Sequence, residues 1–295
     1  MAQDPRNPRL HTLVQFDHPA ELLERVGEVF ASDEALYSLP LGILNNLLQG
    51  HSYGPGTPRF FTVESGGCLE LVGIETPPYP LNLVVVEGRD WPALAAVVLE
   101  QVHGPKAISS SEAMAQAYSG LRSERSGEQT SVRMRKRLFR LDRVNPPSRP
   151  CPGALRPATS ADTAQLIDWS YRFYVDIADS RAELGPPTQL SDRVQFFLWE
   201  EQGTIRSMAA IARATSRGAT LSYVYTPPEW RGRGYAGHLV AALSQHILDS
   251  GKEFAALYTD LANPTSNKIY AEVGYRPVAD YQVVAFEAGE ERKGS

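Results

Sequence analysis

The stretch Thr226–Val240, TPPEWRGRGYAGHLV, constrains this chain more than any other. Ahead of it, Leu221–Tyr225 is an apolar alternating run that reads as a strand. Behind it, Leu239–Leu243 with Ile247 and Leu248 recurs as one face of a helix. A strand can pass into a helix over this distance only if the backbone turns tightly, and Gly232, Gly234 and Gly237 allow that. The first turn of the helix presents unpaired N–H groups at the positive end of its dipole. Arg231 and Arg233 add full positive charges with forked donor geometry. A strand, a glycine-arginine loop and a helix start together make an anion site, most naturally for phosphates. An ordinary tight connection with its arginines in water has the same composition, so the loop has to be weighed against its surroundings.

The 295 residues fit about two domains of average size. Val144–Gly153, VNPPSRPCPG, carries four prolines and can continue neither a helix nor a central strand. It divides the chain into residues 1–145 and 146–295. After it come an edge strand at Ala154–Arg156, a helix over Ala161–Tyr174 with Ser160 as a candidate cap, and a loop or broken helix over Asp176–Leu190. Strands follow at Val194–Glu200, Ile205–Arg213 and Leu221–Thr226, joined by short turns that imply antiparallel pairing. A strand at Phe254–Thr259, a helix at Ser266–Val273 and a strand at Tyr281–Phe286 close this half.

The first half repeats the order. A loose start over residues 1–12 leads to helices at Ala20–Phe30, with Asp17 as a candidate cap, and Leu36–Gln49. Strands at Arg59–Glu64, Cys68–Glu75 and Leu81–Val86, helices at Pro92–Val102 and Glu112–Leu121, and a strand at Ser131–Leu141 complete it. The expectation is an α/β protein, a mixed and mostly antiparallel sheet flanked by helices, built as two copies of one architecture. In the first copy the place of the glycine loop is taken by Glu87–Pro92, with one glycine and two acids, which is poor for a phosphate.

Composition removes several classes. The net charge of −5 and pI near 5.7 favour neither nucleic acid nor an anionic membrane. The basic run Arg133–Arg137 alternates as a strand does, which puts its charges on one wet face. Cys68 and Cys151 fall in different halves without ligand spacing, so neither a disulfide framework nor a metal site is expected. No secretory h-region opens the sequence and no apolar run approaches the ~20 residues that cross a bilayer. A cytoplasmic protein with no nucleic-acid or membrane partner is expected.

Gly232-Arg233-Gly234-Tyr235-Ala236-Gly237 matches the GxGxxG dinucleotide fingerprint, and Asp260 follows where a ribose-binding acid would sit. That fingerprint needs its glycines directly after the first strand of an alternating β-α-β series. Here Thr226–Trp230 intervenes, the preceding strands form a meander, and only 35 residues follow Asp260.

The residues resemble the GNAT family of acyl-CoA-dependent N-acetyltransferases. Arg231-Gly232-Arg233-Gly234-Tyr235-Ala236 fits that family's phosphate loop, Q/R-x-x-G-x-G/A. Asn263, Ser266, Tyr270, Gly274 and Tyr275 fit its next motif. The resemblance covers about residues 153–287, and the first half would be a degenerate copy by analogy. It implies acetyl-CoA as co-substrate and a primary amine, on a small molecule or a peptide, as acceptor. The strands Leu221–Thr226 and Phe254–Thr259 would splay at their ends. Backbone at Val224 and Thr226 would then bind the pantetheine arm as if it were a further strand. The N–H groups from Gly232 to Ala236 would hold the pyrophosphate, while Asn263 and Asn267 orient the arm. A backbone N–H from Val224 or Tyr225 would bind the carbonyl oxygen as it gains charge. Tyr270 would serve the leaving thiolate as general acid. The strand before the loop lacks the carboxylate base that many members carry, so Asp176, Glu183, Glu229 and Asp260 all stand as candidates. Two other readings stay open at this point: a non-catalytic acyl-CoA-binding regulator with Tyr270 as packing, and a nicotinamide-dependent oxidoreductase.

Overall fold

The computed structural model describes residues 10–87, 90–177 and 179–287. In chain order the elements are β1 (His11–Phe16), α1 (Pro19–Ser32), α2 (Ser38–Leu48), β2 (Arg59–Ser65), β3 (Cys68–Glu75), β4 (Leu81–Val85), α3 (Trp91–Gln101), β5 (Ala107–Ser110), α4 (Glu112–Ser126) and β6 (Gln129–Leu141). The second half adds β7 (Ala154–Pro157), α5 (Thr163–Asp176), β8 (Gln195–Glu201), β9 (Thr204–Ala214), β10 (Gly218–Tyr225), α6 (Tyr235–Asp249), β11 (Phe254–Asp260), α7 (Pro264–Val273) and β12 (Arg276–Glu287). The fold is the expected mixed α/β type, with a mostly antiparallel sheet.

The chain divides into two compact units that are not consecutive halves. Of the described residues, the first unit takes 10–33, 43–136 and 280–287; the second takes 34–42 and 137–279. The boundary between 145 and 146 remains our proposal for the seam of the two copies in sequence. The exchanged segments are a property of the folded chain.

In the first unit the strand order is β1-β2-β3-β4-β5-β12. All its neighbours pair antiparallel except β4 and β5, which run parallel with Leu81 opposite Ile108. One face buries Phe61, Leu71, Leu83 and Ile108 against Leu94 and Val98 of α3 and Met114 and Tyr118 of α4. These side chains recur with period 2 in the strands and with helical spacing in α3 and α4, as burial on one face requires.

The second unit orders its strands β6-β11-β10-β9-β8-β7. Strands β7 to β10 form the expected antiparallel meander, and β11 lies parallel to β10. On one face α6 buries Leu239, Val240, Leu243 and Ile247 with Tyr270 and Val273 of α7. On the other, Leu166 and Trp169 of α5 pack on Phe196, Leu198, Met208 and Tyr225.

Local details differ from the sequence reading in three places. His11–Phe16 is a strand paired with β2, from Phe16 opposite Phe60 to His11 opposite Ser65, although it lies against a polar start and its partner is distant in sequence. Ala107–Ser110 is a strand too short to show a period. The caps also shift: the His18 ring, not Asp17, accepts the Ala20 N–H at 3.2 Å, and Thr159 with Asp162 forms the capping box ahead of α5 in place of Ser160.

Candidate functional site

Strand β10 pairs with β11 from Gly218 opposite Phe254 to Leu221 opposite Leu257. Beyond that register β10 runs on to Tyr225 and β11 to Asp260 with no further pairs between them among the described residues. Ser222–Tyr225 and Tyr258–Asp260 thus flank a gap between strand ends. On its other side β10 carries a bulge: Ser222 faces Ala210 and Tyr225 faces Met208, so Tyr223 and Val224 together oppose Ala209. Tyr223 has φ of 55°, a left-handed backbone in mid-strand. The strand end is fastened by Ser207, whose hydroxyl bonds the Tyr225 carbonyl at 2.9 Å and the Thr226 hydroxyl at 2.8 Å.

The glycine loop follows. Pro228–Trp230 makes a short 3-10 turn, and Gly232 and Gly234 both take positive φ, 76° and 89°. Gly234 is the N-cap of α6 and supplies no side-chain cap. The first helical bond is His238 N–H to the Gly234 carbonyl, so the N–H groups of Tyr235, Ala236 and Gly237 have no partner within the helix. In the first unit the corresponding helix α3 is capped by its own Asp90, which accepts the Ala93 N–H at 3.2 Å and puts a carboxylate where a phosphate would lie. Gly88 and Arg89, part of the acidic stretch singled out in the sequence, lie outside the described residues.

The two loop arginines are used differently. Arg231 donates from Nε to the Thr226 carbonyl at 2.8 Å and pairs with Asp176, which ties the loop to the end of β10 and to α5. Arg233 lies over the Trp230 ring at 4.9 Å and has no ion-pair partner among the described residues. Behind the loop, the buried Tyr235 donates its hydroxyl to Glu201 at 2.7 Å. That bond, with Arg206, holds the Glu201 carboxyl below the usual range. His238 is no ligand candidate: its ring nitrogens meet the carbonyls of Gly234 (3.0 Å) and Arg149 (2.8 Å), fixing the proline-rich segment to the loop.

Across the gap, Asn263 spends its side-chain oxygen as N-cap of α7, accepting the Ser266 N–H at 3.0 Å. Asn267 donates to the carbonyls of Asp260 (3.0 Å) and Asn263 (2.8 Å), and its Oδ1 is buried without a partner. Helix α7 lies against the start of α6, with Ile269 next to Gly237. Tyr270 is buried beside Phe139 and Tyr275, and burial pushes its phenol up to about 12 despite the opposing effect of Ser266.

None of the four candidate bases stands free and shielded. Asp176 pairs with Arg231, Asp260 accepts the Ala262 N–H at 2.9 Å, and Glu183 and Glu229 are exposed. A cluster without an evident sequence signal lies on the α5 side instead. The Tyr223 and Tyr174 hydroxyls are 2.6 Å apart, and Arg181 donates to the Tyr174 hydroxyl at 3.3 Å. Burial opposes the Arg181 charge, but bonds to Asp179 at 2.7 Å from both Nε and Nη2 outweigh it and raise its pKa.

A meander of antiparallel strands, one parallel neighbour, a gap between the two, and a helix that starts uncapped after a glycine loop define the GNAT fold, here in two copies in tandem. Known proteins agree with that class. Residues 200–284 match the family of FR47-like proteins, which is GNAT-related. A Drosophila protein of known structure superposes with a TM-score of 0.64 at 12% identity, over 94% of this chain and 99% of that one. A tandem GNAT protein from the clavulanic acid biosynthesis pathway gives 0.56 at 14%, over 96% and 100%. A GCN5-related N-acetyltransferase from Sphaerobacter thermophilus gives 0.54 at 15%, over 93% and 94%. At such identities the likeness is one of fold. No curated protein matches by sequence.

Proposed function

We propose that the chain is an acetyl-CoA-dependent N-acetyltransferase that acylates a primary amine. The observation that carries this is the pairing of an uncapped helix start at Gly234–Gly237 with the unpaired strand ends Ser222–Tyr225 and Tyr258–Asp260. N–H donors at a helix terminus suit a pyrophosphate, and free strand edges suit an amide-bearing arm. In this reading Gly232, Arg233, Gly234, Tyr235 and Ala236 hold the phosphates, with Arg231 bracing the loop through Thr226. Val224, Tyr225 and Thr226 present backbone groups to the arm and to the acyl oxygen. Asn267 lines the other side of the gap, tied to the Asp260 carbonyl, and Asn263 keeps α7 in place. Acetyl-CoA supplies the thioester. The Tyr270 hydroxyl donates a hydrogen bond to sulfur as it departs.

The mostly antiparallel sheet does not have the open parallel order of a dinucleotide fold, which removes the support for a nicotinamide reading. A non-catalytic acyl-CoA-binding role has one observation on its side, the lack of any acid on β10. No helix among the described residues is long and apolar enough to cross a membrane, and we place the protein in the cytoplasm. Thermal unfolding with acetyl-CoA or NAD at equal concentration tests the coenzyme: only acetyl-CoA should raise Tm. Thiol release with a panel of free amino acids, polyamines and arylalkylamines then tests turnover. Stabilisation without release on any amine would favour the binding role.

A further inference from the structure

We propose that Tyr223 is the residue that meets the acceptor: its phenol oxygen accepts a hydrogen bond from the attacking amine and directs the nitrogen lone pair at the thioester carbon. This rests on the acetyl-transfer reading above. Two non-glycine residues with positive φ occur among the described residues, Gln202 and Tyr223. Gln202 sits with Gly203 in the β8–β9 turn, where such a backbone is ordinary. Tyr223 is inside a strand, where no turn calls for it, and backbone strain of this kind persists where the surroundings hold it for a purpose.

The bulge decides which way the side chain faces. Leu221 packs on the α6 side, so regular alternation would aim Tyr223 there as well. The extra residue turns Tyr223 to the α5 side together with Tyr225 and leaves Val224 on the α6 side. The residue next to the backbone proposed to bind the acyl group therefore presents a hydroxyl on the face opposite the coenzyme helix. That hydroxyl is fixed. Tyr174 holds it at 2.6 Å, Arg181 backs Tyr174, and the rings of Phe173 and Phe196 lie 5.4 and 5.2 Å from the Tyr223 ring. One partner leaves a phenol with further hydrogen-bonding capacity, and Tyr223 is only partly buried. None of the four candidate carboxylates competes for the role: Asp176 and Asp260 are engaged elsewhere, and Glu183 and Glu229 face solvent.

The acceptor class is an amine that attacks in its neutral form with an N–H to spare for this contact. As the N–C bond forms and the C–S bond breaks, the C–S pair leaves with sulfur. Nitrogen sheds one proton and the released thiol takes one up, so no further reactant is consumed. Tyr223 touches the nucleophile; Tyr174 and Arg181 are positioning residues.

The test compares wild type with Tyr223→Phe and Tyr174→Phe, using acetyl-CoA and the amine panel named above. Tyr223→Phe should lower kcat/KM for the amine by about tenfold or more, because orientation is lost. Acetyl-CoA Kd should stay within about twofold and Tm within about 2 °C, since the ring packing is kept. Tyr174→Phe should fall between the two. Unchanged amine turnover in Tyr223→Phe would overturn the assignment while leaving acetyl transfer intact. An equal loss of acetyl-CoA affinity or of Tm would also overturn it, by making the residue structural. A wild-type protein that neither binds acetyl-CoA nor releases thiol would remove the acetyl-transfer reading, and this inference with it.

Discussion

At the scale of single residues, the chemistry is set by how Tyr270 holds its proton. Burial pushes its phenol up to about 12, so it remains a donor throughout the neutral range. A thiol is a stronger acid, near 8.5, so complete transfer of the phenol proton to a departing thiolate runs uphill. The group is suited to donating a hydrogen bond to sulfur while charge builds there, which stabilises the transition state without leaving a phenolate in the core. Tyr270→Phe is expected to lower kcat by about 10²-fold, with acetyl-CoA Kd changed by less than about threefold. Thiol-release kinetics beside calorimetric titration would check it, and an unchanged kcat removes Tyr270 from the mechanism. Gly234 is the second residue to decide something. With φ of 89° and only His238 near its missing Cβ, a side chain there meets backbone strain and no clash. Gly234→Ala should cost about 1–2 kcal/mol, felt as roughly tenfold weaker acetyl-CoA binding because the N–H groups lose their alignment. Binding as tight as wild type would show that these amides do not hold the phosphates.

Among the elements, α5 shows how a helix start depends on pH. Asp162 receives a forked pair from Arg156, at 2.8 and 2.9 Å, with the Thr159 N–H at 2.7 Å and hydroxyl at 2.9 Å. The Arg156 bond is the main reason the Asp162 carboxyl is held well below the usual range, with the Thr159 bonds adding to it against the effect of burial. A depressed pKa stabilises the fold fully above the unfolded value, near 4, and that contribution declines as pH falls below it. Asp162→Asn should therefore cost about 1–2 kcal/mol at pH 7, and the gap to wild type should narrow between about pH 4 and pH 2. A gap of constant size over that window would assign the loss to packing. Thr159 and Asp162 spell this capping box three residues apart, so the start of α5 was readable in the sequence, although Ser160 looked the better cap. The glycine loop, the meander and α7 were readable for the same reason: their residue types carry local geometry. The bulge at Tyr223 was not, because nothing in a tyrosine announces positive φ. Strands β1 and β5 were hidden because pairing with distant partners, not local period, makes them strands.

For the whole molecule, the exchanged segments make a cut between 145 and 146 costly to both products. The second unit contains residues 34–42, and Glu34 is buried there. Its carboxylate accepts the Ser216 hydroxyl and the Arg217 N–H, the latter at 2.8 Å. Burial disfavours the Glu34 charge, but these bonds, with Thr215, outweigh it and hold the carboxyl below its ordinary range. Tyr258, on β11 beside the candidate gap, lies beside Ser38 and Leu39 at the start of α2. Gly42 is so close to Arg213 that a Cβ would lie 2.6 Å from its side chain. The first unit in turn contains residues 280–287, whose Gln282–Ala285 pairs with Ser110–Ala107 of β5. A fragment of residues 146–295 would carry the glycine loop and Tyr270 yet lack all of 34–42, leaving Ser216, Arg217 and Tyr258 without those partners. Ser216 and Arg217 are exposed and can turn to water, but Tyr258 and Arg213 lose the segment that covers them, and even about 1–2 kcal/mol is a large share of a domain's net stability. The fragment is expected to melt at least about 10 °C below the full chain, or not cooperatively, and to show no stabilisation by acetyl-CoA. Co-expression with residues 1–145 should restore both properties. A fragment that melts cooperatively at the full-chain temperature and is stabilised by acetyl-CoA would mean that the second unit stands without its borrowed segment, and that Glu34 and α2 contribute nothing to the site.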